Sequence, residues 1–336
     1  MKRREFITLL GGVAAAPPFL APLAAQAQPR DGMRRIGVLT GLSADDPEGQ
    51  ARRAAFLQGM AALGWTVSRD LKMDYRVAGR DPERYREYAQ ELVALRPDLL
   101  LAGGTPAVAA LQAALQQVAR RTVPVVFANA TDPAGGGYVA RLARPARNTT
   151  GFMNFEARFA WKWLELLKQI APHVTRVAIL RSETSTGTGQ MEALQAARQR
   201  FGVELTSLGD HDTREIERGI AAFVHGPNDG LIVTSQLESI HREQLVTLAA
   251  RYRLPAVYGF RRYVTEGGLI SFGSDQVEPF RRAAAYVDRI LNGERPIALP
   301  VQGPAKYELV LNMKTARALD FDVPASVLAR ADEVIE

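Results

Sequence analysis

The chain of 336 residues contains no cysteine. That one absence removes disulfides, thiolate nucleophiles and cysteine-ligated zinc, and it leaves no sulfur for lipid attachment behind a leader. Histidine is almost as scarce. His173, His211, His225 and His241 are dispersed and form no His-Glu-x-x-His pattern, so each reads as a surface or helix-end residue and not as a metal ligand. The dipeptide Gly-Lys never occurs, which excludes a Walker-type phosphate loop, and the first candidate strand runs on as Gly37-Val38-Leu39-Thr40-Gly41-Leu42 with no Gly-x-Gly-x-x-Gly. No Gly-x-Ser-x-Gly elbow is present. Gly187-Thr188-Gly189 is a lone Gly-x-Gly of the kind that precedes many helices. The sequence therefore offers no catalytic constellation, no metal site and no cofactor motif. Basic residues exceed acidic ones by 42 to 36, but the arginines are scattered and no basic run is interleaved with aromatics. A nucleic-acid partner is not expected.

What is present begins with the leader. Met1–Ala27 has a basic start with the pair Arg3-Arg4 followed by Glu5-Phe6-Ile7, a Gly/Ala-rich apolar run to Ala16, Pro17-Pro18, and the small-residue pattern Ala25-Gln26-Ala27. This is the layout of an export signal cleaved near Ala27, and the paired arginines before Phe6 resemble a twin-arginine signal, with a general secretory signal as the alternative. A membrane helix is disfavoured, because Gly11-Gly12 and Pro17-Pro18 interrupt the apolar run where a span needs ~20 continuous apolar residues. The expectation is a soluble periplasmic protein. The net charge of +6 includes two charges from the leader's Lys2, Arg3 and Arg4 set against Glu5, and 47% hydrophobic residues suffice for real cores. The remaining length suits two domains better than one.

Beyond the leader, short apolar runs alternate with helical spacing. Strands are expected at Arg35–Leu39, Leu71–Val77, Leu99–Ala102, Val125–Phe127 and Thr150–Phe152, separated by helices at Glu48–Leu63, Glu83–Leu95 and one that follows Gly103-Gly104-Thr105-Pro106 and runs to about Val118. The pattern then restarts with helices at Phe159–Ile170, Met191–Phe201, Ile216–Val224 and Ile240–Tyr252. Strands are expected between them at Val177–Leu180, Val203–Leu205, Leu231–Val233 and Ala256–Tyr258, followed by Leu269–Phe272 and a helix over Val277–Leu291. Strands alternating with 10–15-residue helices signal βαβ units and parallel sheets, and a run such as Asp98-Leu99-Leu100-Leu101 suits a strand buried on both faces. Two such series predict an α/β protein of two doubly wound lobes. Ligands of such sheets sit beyond the carboxyl ends of the strands, which draws attention to Thr40–Asp45, Gly103–Thr105, Asn129–Asp132, Ser182–Thr188, Thr234–Gln236 and Tyr258–Arg261. Asp45-Asp46 before Pro47 reads as a helix-capping loop or as a contact for a ligand amine.

Several stretches carry a family resemblance. They are the leader Met1–Ile7, Phe56-Leu57-Gln58-Gly59, Gly104-Thr105-Pro106-Ala107, Pro124–Phe127, Thr131-Asp132-Pro133, Asn148–Gly151, Lys162–Leu167, Gly267–Gly273 and Tyr307–Ala316. Their order and spacing, over essentially the whole chain, resemble the ABC-transporter substrate-binding proteins with tryptophan- and tyrosine-binding members, which have the type I periplasmic binding protein fold. The resemblance implies three crossovers between lobes at a hinge. Lobe 1 would then hold residues 28–152 plus 274–297 and lobe 2 residues 153–273 plus 298–336, rotating as rigid bodies around a small-molecule ligand. It also implies an ABC permease at the inner membrane as partner, a monomeric state and no enzyme activity. A sensing module for a membrane partner and an exported doubly wound enzyme are the alternatives.

The resemblance points to Thr105, Pro106, Thr131 and Asp132 in lobe 1, Asn154 at the hinge, and Ser185, Thr186, Thr188, Thr234, Gln236, Tyr258 and Phe260 in lobe 2. Asp132 would balance a ligand ammonium, the helix after Thr186 would hold a carboxylate, and Tyr258 or Phe260 would stack on a flat ligand. Plain helix caps at Thr105 and Thr186, a turn at Pro133 and Gly135-Gly136-Gly137, and core burial of Tyr258 or Phe260 are the competing readings. Arg261 reads as a contact for an acidic ligand or as a surface residue.

Overall fold

Two βα series follow one another from Gly32 onward. The structure is a computed structural model that describes residues 32–336 apart from 44, 80, 119–122, 144, 146–147, 182–187, 210–211 and 235–238. The expected leader, together with Ser185, Thr186 and Gln236, lies outside the described residues. The first series comprises β1 (Arg34–Thr40), α1 (Pro47–Ala62), β2 (Leu71–Val77), α2 (Pro82–Ala94), β3 (Leu99–Gly103), α3 (Thr105–Gln116), β4 (Val125–Thr131) and β5 (Thr149–Phe155). Its strands form a parallel sheet in the order β2-β1-β3-β4-β5. The second series comprises α4 (Trp161–Ile170), β6 (Arg176–Leu180), α5 (Thr188–Phe201), β7 (Glu204–Leu208), α6 (Thr213–Phe223), β8 (Asp229–Val233), α7 (Ser239–Arg251), β9 (Ala256–Tyr258), α8 (Arg261–Thr265) and β10 (Ile270–Ser274). Its order, β7-β6-β8-β9-β10, repeats the first. The chain ends with α9 (Glu278–Leu291), β11 (Tyr307–Asn312), α10 (Met313–Ala318), α11 (Ala325–Leu328) and β12 (Glu333–Ile335).

Local sequence explains the helix starts of the first lobe. Asp46-Pro47-Glu48 and Asp81-Pro82-Glu83 use one device twice. Each aspartate caps its helix, accepting from the N–H groups of Glu48 (2.8 Å) and Gly49 (3.2 Å) or of Glu83 (2.9 Å) and Arg84 (3.4 Å), and a proline occupies the first turn. The strands alternate their faces. Ile36, Val38, Leu99, Leu101, Val126 and Ala128 face a core shared with α1 and α9, whereas Leu39, Leu100, Ala102, Val125 and Phe127 face one shared with α2 and α3. The second sheet is also covered on both faces, by α4, α5, α10 and α11 on one side and by α6, α7 and α8 on the other.

α9 follows the second series in sequence and packs on the first. Phe280, Ala283, Ala284, Tyr286, Val287, Ile290 and Leu291 are buried beside Phe56 and Met60 of α1, and Trp65 Nε1 donates to Asp288 Oδ1 at 2.8 Å. Each large apolar side chain so buried is worth about 1.5–3 kcal/mol, so α9 is integral to the first lobe. The chain then returns to the second lobe. β11 begins at the crossing toward which β10 runs, and so pairs with β10 antiparallel, the one pair in the second sheet that departs from the parallel pattern.

Three crossing segments lie side by side. Met153 N–H donates to Gln302 O (2.8 Å), Gln302 N–H to Gly151 O (3.0 Å), Thr150 Oγ1 to Leu299 O (2.6 Å) and Ser274 Oγ to Asn154 O (2.5 Å). On the second-lobe side Phe155 stacks on Trp163 at 4.4 Å, and Tyr307 meets Phe155 edge-on at 5.3 Å. Tyr307 Oη accepts the Glu156 N–H at 2.9 Å, and burial pushes its hydroxyl up to about 12, so it stays neutral.

Gly151 has φ 153°, and a Cβ there would sit 2.0 Å from Phe127 O in the neighbouring strand. Gly64, which ends α1 with φ 84°, has open space around it. Gly151→Ala should therefore destabilise by about 3 kcal/mol or more, through strain added to a steric collision. Gly64→Ala should cost only about 1 kcal/mol from the left-handed backbone. Urea unfolding of the two variants checks the difference.

Candidate functional site

The loops that follow the strands of both sheets meet one another. Asp132, just past β4, has φ 44° and opens a turn in which its Oδ1 accepts the Gly135 N–H at 2.9 Å. Its Oδ2 reaches across to the second lobe and accepts the Gly189 N–H, in the first turn of α5, at 3.2 Å. A carboxylate there also meets the positive end of the helix dipole. Gly135 is required by this arrangement, since a Cβ would lie 2.2 Å from Asp132 Oδ2.

A second bridge joins the loops after β1 and β9. Arg262 Nη1 of α8 lies 2.7 Å from Asp46 Oδ1 and 3.3 Å from Glu48 Oε2, both at the start of α1. Glu48 also pairs with the buried Arg52, whose guanidinium carbon lies 5.6 Å from the centre of the Phe280 ring. Arg242 and Glu266 extend the network on the second lobe, at 2.9 Å. Burial pushes the Asp46 carboxyl up, but the hydrogen bond from Arg262, those from the Gly49 and Glu48 amides, and the Arg262 charge together hold it below its ordinary value. Burial pulls the Arg52 guanidinium down against the opposing pull of Glu48.

A chain of buried polar groups lies at the crossing. Thr105 Oγ1 accepts the Thr131 N–H at 2.8 Å, and Thr131 Oγ1 donates to Asn154 Oδ1 at 3.0 Å. Gln276 Nε2 donates to Ser274 O at 3.0 Å, and Asn129 Nδ2 donates to Gln276 O at 2.7 Å. Asn129 Oδ1, Gln276 Oε1, Arg52 Nε and Ser271 Oγ are buried with no hydrogen-bond partner among the described residues. Leaving such a group unpaired costs about 1–3 kcal/mol; Asn129 and Gln276 lie at the crossing, and Arg52 lies apart from them on α1.

The residues singled out from sequence fall into groups. Thr131 and Asn154 come together with Thr105, while Asp132, next in the chain, turns to Gly135 and Gly189; Thr105 does not cap α3. Gly104 holds that position with φ 95°, and the Thr105 hydroxyl is used to pin β4 to the start of α3. Pro106 and Thr188 are exposed at helix starts. Thr234 ties the end of β8 to that of β6 through its N–H to Leu180 O at 2.9 Å. Phe260 is half-buried before α8. Tyr258 requires correction as a ligand-stacking residue. It is 1% exposed and stacks on Tyr263 at 4.8 Å inside the second lobe's core, where burial pushes its hydroxyl far up. Arg261 pairs with Glu333 on the surface, and its neighbour Arg262 makes the bridge. Of the two readings of Asp45-Asp46, capping holds, by Asp46. Sequence reasoning missed Arg52, Arg262 and Gln276, none of which lies in a recognisable motif. It marked Asn129 only as part of a loop.

The bridge gives a measurable coupling. A double-mutant cycle with Asp46→Ala and Arg262→Ala should return about 1 kcal/mol of interaction, beyond the helix-capping loss of Asp46→Ala alone. Because the folded Asp46 carboxyl is depressed, its contribution is complete above about pH 3.9 and disappears as pH falls through its lowered value. Asp46→Asn should flatten that part of the acid-unfolding profile.

Comparison with known proteins follows the same outline. The chain is similar to a tyrosine-binding protein of Clostridioides difficile (strain R20291), with 23% identity over 283 residues covering 82% of this chain and 78% of the relative. It resembles the crystal structure of a conserved domain protein from Vibrio cholerae O1 biovar eltor, with TM-score 0.80, 25% identity, and coverage of 90% of this chain and 100% of the other. It also resembles an ABC domain in complex with L-Trp from Streptococcus pneumonia, with TM-score 0.78, 25% identity and the same coverages. The family profile described as ABC transporter substrate binding protein matches residues 35–335, and the chain belongs to that family.

Proposed function

We propose that this protein is an exported periplasmic receptor that captures an aromatic L-amino acid between its lobes and hands it to an inner-membrane ABC permease. The observation that carries this reading is the meeting of strand-end loops from both lobes, at Asp132 with Gly189 and at Arg262 with Asp46, beside a buried polar crossing. A tyrosine-binding relative and a neighbour solved with L-Trp supply the ligand class. Closure around the ligand shifts the balance between open and closed forms. The lobes are taken as residues 28–152 plus 274–297 and 153–273 plus 298–336, acting as a monomer. Thr131, Asp132, Asn154, Thr234 and Phe260, with Ser185, Thr186 and Gln236, are the proposed surroundings of the ligand. The leader Met1–Ala27 would send the chain out by the twin-arginine route, and no helix among the described residues is long and apolar enough to cross a membrane.

Thermal unfolding in the presence of L-tyrosine or L-tryptophan tests the reading. A ligand at ~100 times its dissociation constant should add about 2.7 kcal/mol of stability, and an unchanged midpoint with both removes the aromatic assignment. Asp132→Ala should weaken ligand binding about 5–30-fold, because closure loses the bond to the Gly189 N–H. Equal affinity by titration calorimetry would take Asp132 out of the closing mechanism.

A further inference from the structure

The crossing contains two unpaired acceptors whose orientation is not free. Asn129 sits where the β4–β5 register shifts between Ala128 and Ala130, with φ 63°. Such a bulge re-aims a side chain beside a functional site. The Asn129 side chain is turned into the crossing and is 3% exposed, with its Nδ2 on Gln276 O. Gln276 is 9% exposed, with its Nε2 on Ser274 O and Oγ. A backbone carbonyl can only accept, so each amide must present its NH₂ to that carbonyl. The oxygens Asn129 Oδ1 and Gln276 Oε1 are therefore fixed as the unsatisfied ends. One residue comes from the sheet of the first lobe and the other from the crossing segment that leaves β10 for α9, so the pair lies at the hinge. Thr131, Asn154 and Ser274 around it already bond to protein groups.

We propose that Asn129 Oδ1 and Gln276 Oε1 receive the α-ammonium of an amino-acid ligand. This deepens the function proposed above and rests on it. A buried hydroxyl both donates and accepts, whereas an ammonium only donates, and neither unpaired group here is a donor. The ammonium's charge is balanced within the zwitterion by the ligand's own carboxylate. Asp132, the ammonium partner expected from sequence, accepts the Gly135 N–H at Oδ1 and, across the lobes, the Gly189 N–H at Oδ2, a placement suited to closure. It closes the lobes, and the two amides read the amine.

Titration calorimetry with matched ligand pairs tests this: L-tryptophan against indole-3-propionate, and L-tyrosine against 3-(4-hydroxyphenyl)propionate, each analogue lacking only the amine. The unmodified protein should prefer the amino acid roughly 100-fold or more. Asn129→Gly, which tolerates the positive φ, and Gln276→Met should each reduce that preference at least about tenfold, with little change in affinity for the amine-free acid. Taking the ratio cancels any general loss of stability. A preference near one in the unmodified protein, or an undiminished preference in both variants, overturns the proposal. If neither aromatic amino acid binds, the same ratio is measured for whichever other standard amino acid raises the unfolding midpoint, against its deamino analogue. Collapse of the ratio in the variants then upholds the acceptor pair while removing the aromatic assignment. Binding of amine-free compounds alone, or of no amino acid, overturns the acceptor pair.

Discussion

Two largely parallel sheets present their carboxyl-terminal edges to one another, and the polar groups gathered there need partners. Much else in the molecule follows from that constraint. The same strand order in both lobes makes the contacts reciprocal: the loop after β4 meets the start of α5, which follows β6, the counterpart of β1, and the loop after β1 meets α8, which follows β9, the counterpart of β4. The protein meets the demand in part with its own groups, through one carboxylate on a helix amide and one arginine between two acids. The amide oxygens of Asn129 and Gln276 are left over.

The magnitudes suit a reversible receptor. Each bridge between lobes is a partly exposed polar contact, of the kind worth about 1 kcal/mol. On the proposed function, contacts that weak would bias an open–closed equilibrium and leave a modest ligand contribution to decide it. A closure built from a large apolar interface would trap its cargo.

The sequence made the secondary structure legible because each element carries its own period and punctuation. Asp46-Pro47 and Asp81-Pro82 announce helices, and Leu99–Gly103 reads as a strand buried on both faces and is one. The return of the chain to the first lobe at α9 followed from family resemblance and not from local pattern, since the buried face of α9 is amphipathic like many others. The site was legible only where a loop is short and polar. Asp132 and Asn154 stood out, whereas Arg262 is one step from an arginine that salt-bridges on the surface. Tyr258 misled because a tyrosine at a strand end satisfies a core position and a binding face equally well, and only the stacked Tyr263 decides between them. Asn129 depends on a bulge, and a bulge is a property of two paired strands that one strand's sequence does not contain.

α9 completes the core beneath β1, β3 and β4 although some 120 residues separate it from β5 in the chain. A ribosome making this protein therefore releases the N-terminal lobe's sheet long before the helix that seals one of its faces. Until Leu291 has emerged, Ile36, Val38, Phe56 and Leu101 have an open side. The N-terminal half cannot mature first and wait, as a contiguous domain would. It stays sticky through most of translation, and the lobe that begins the chain is among the last parts of it to be finished.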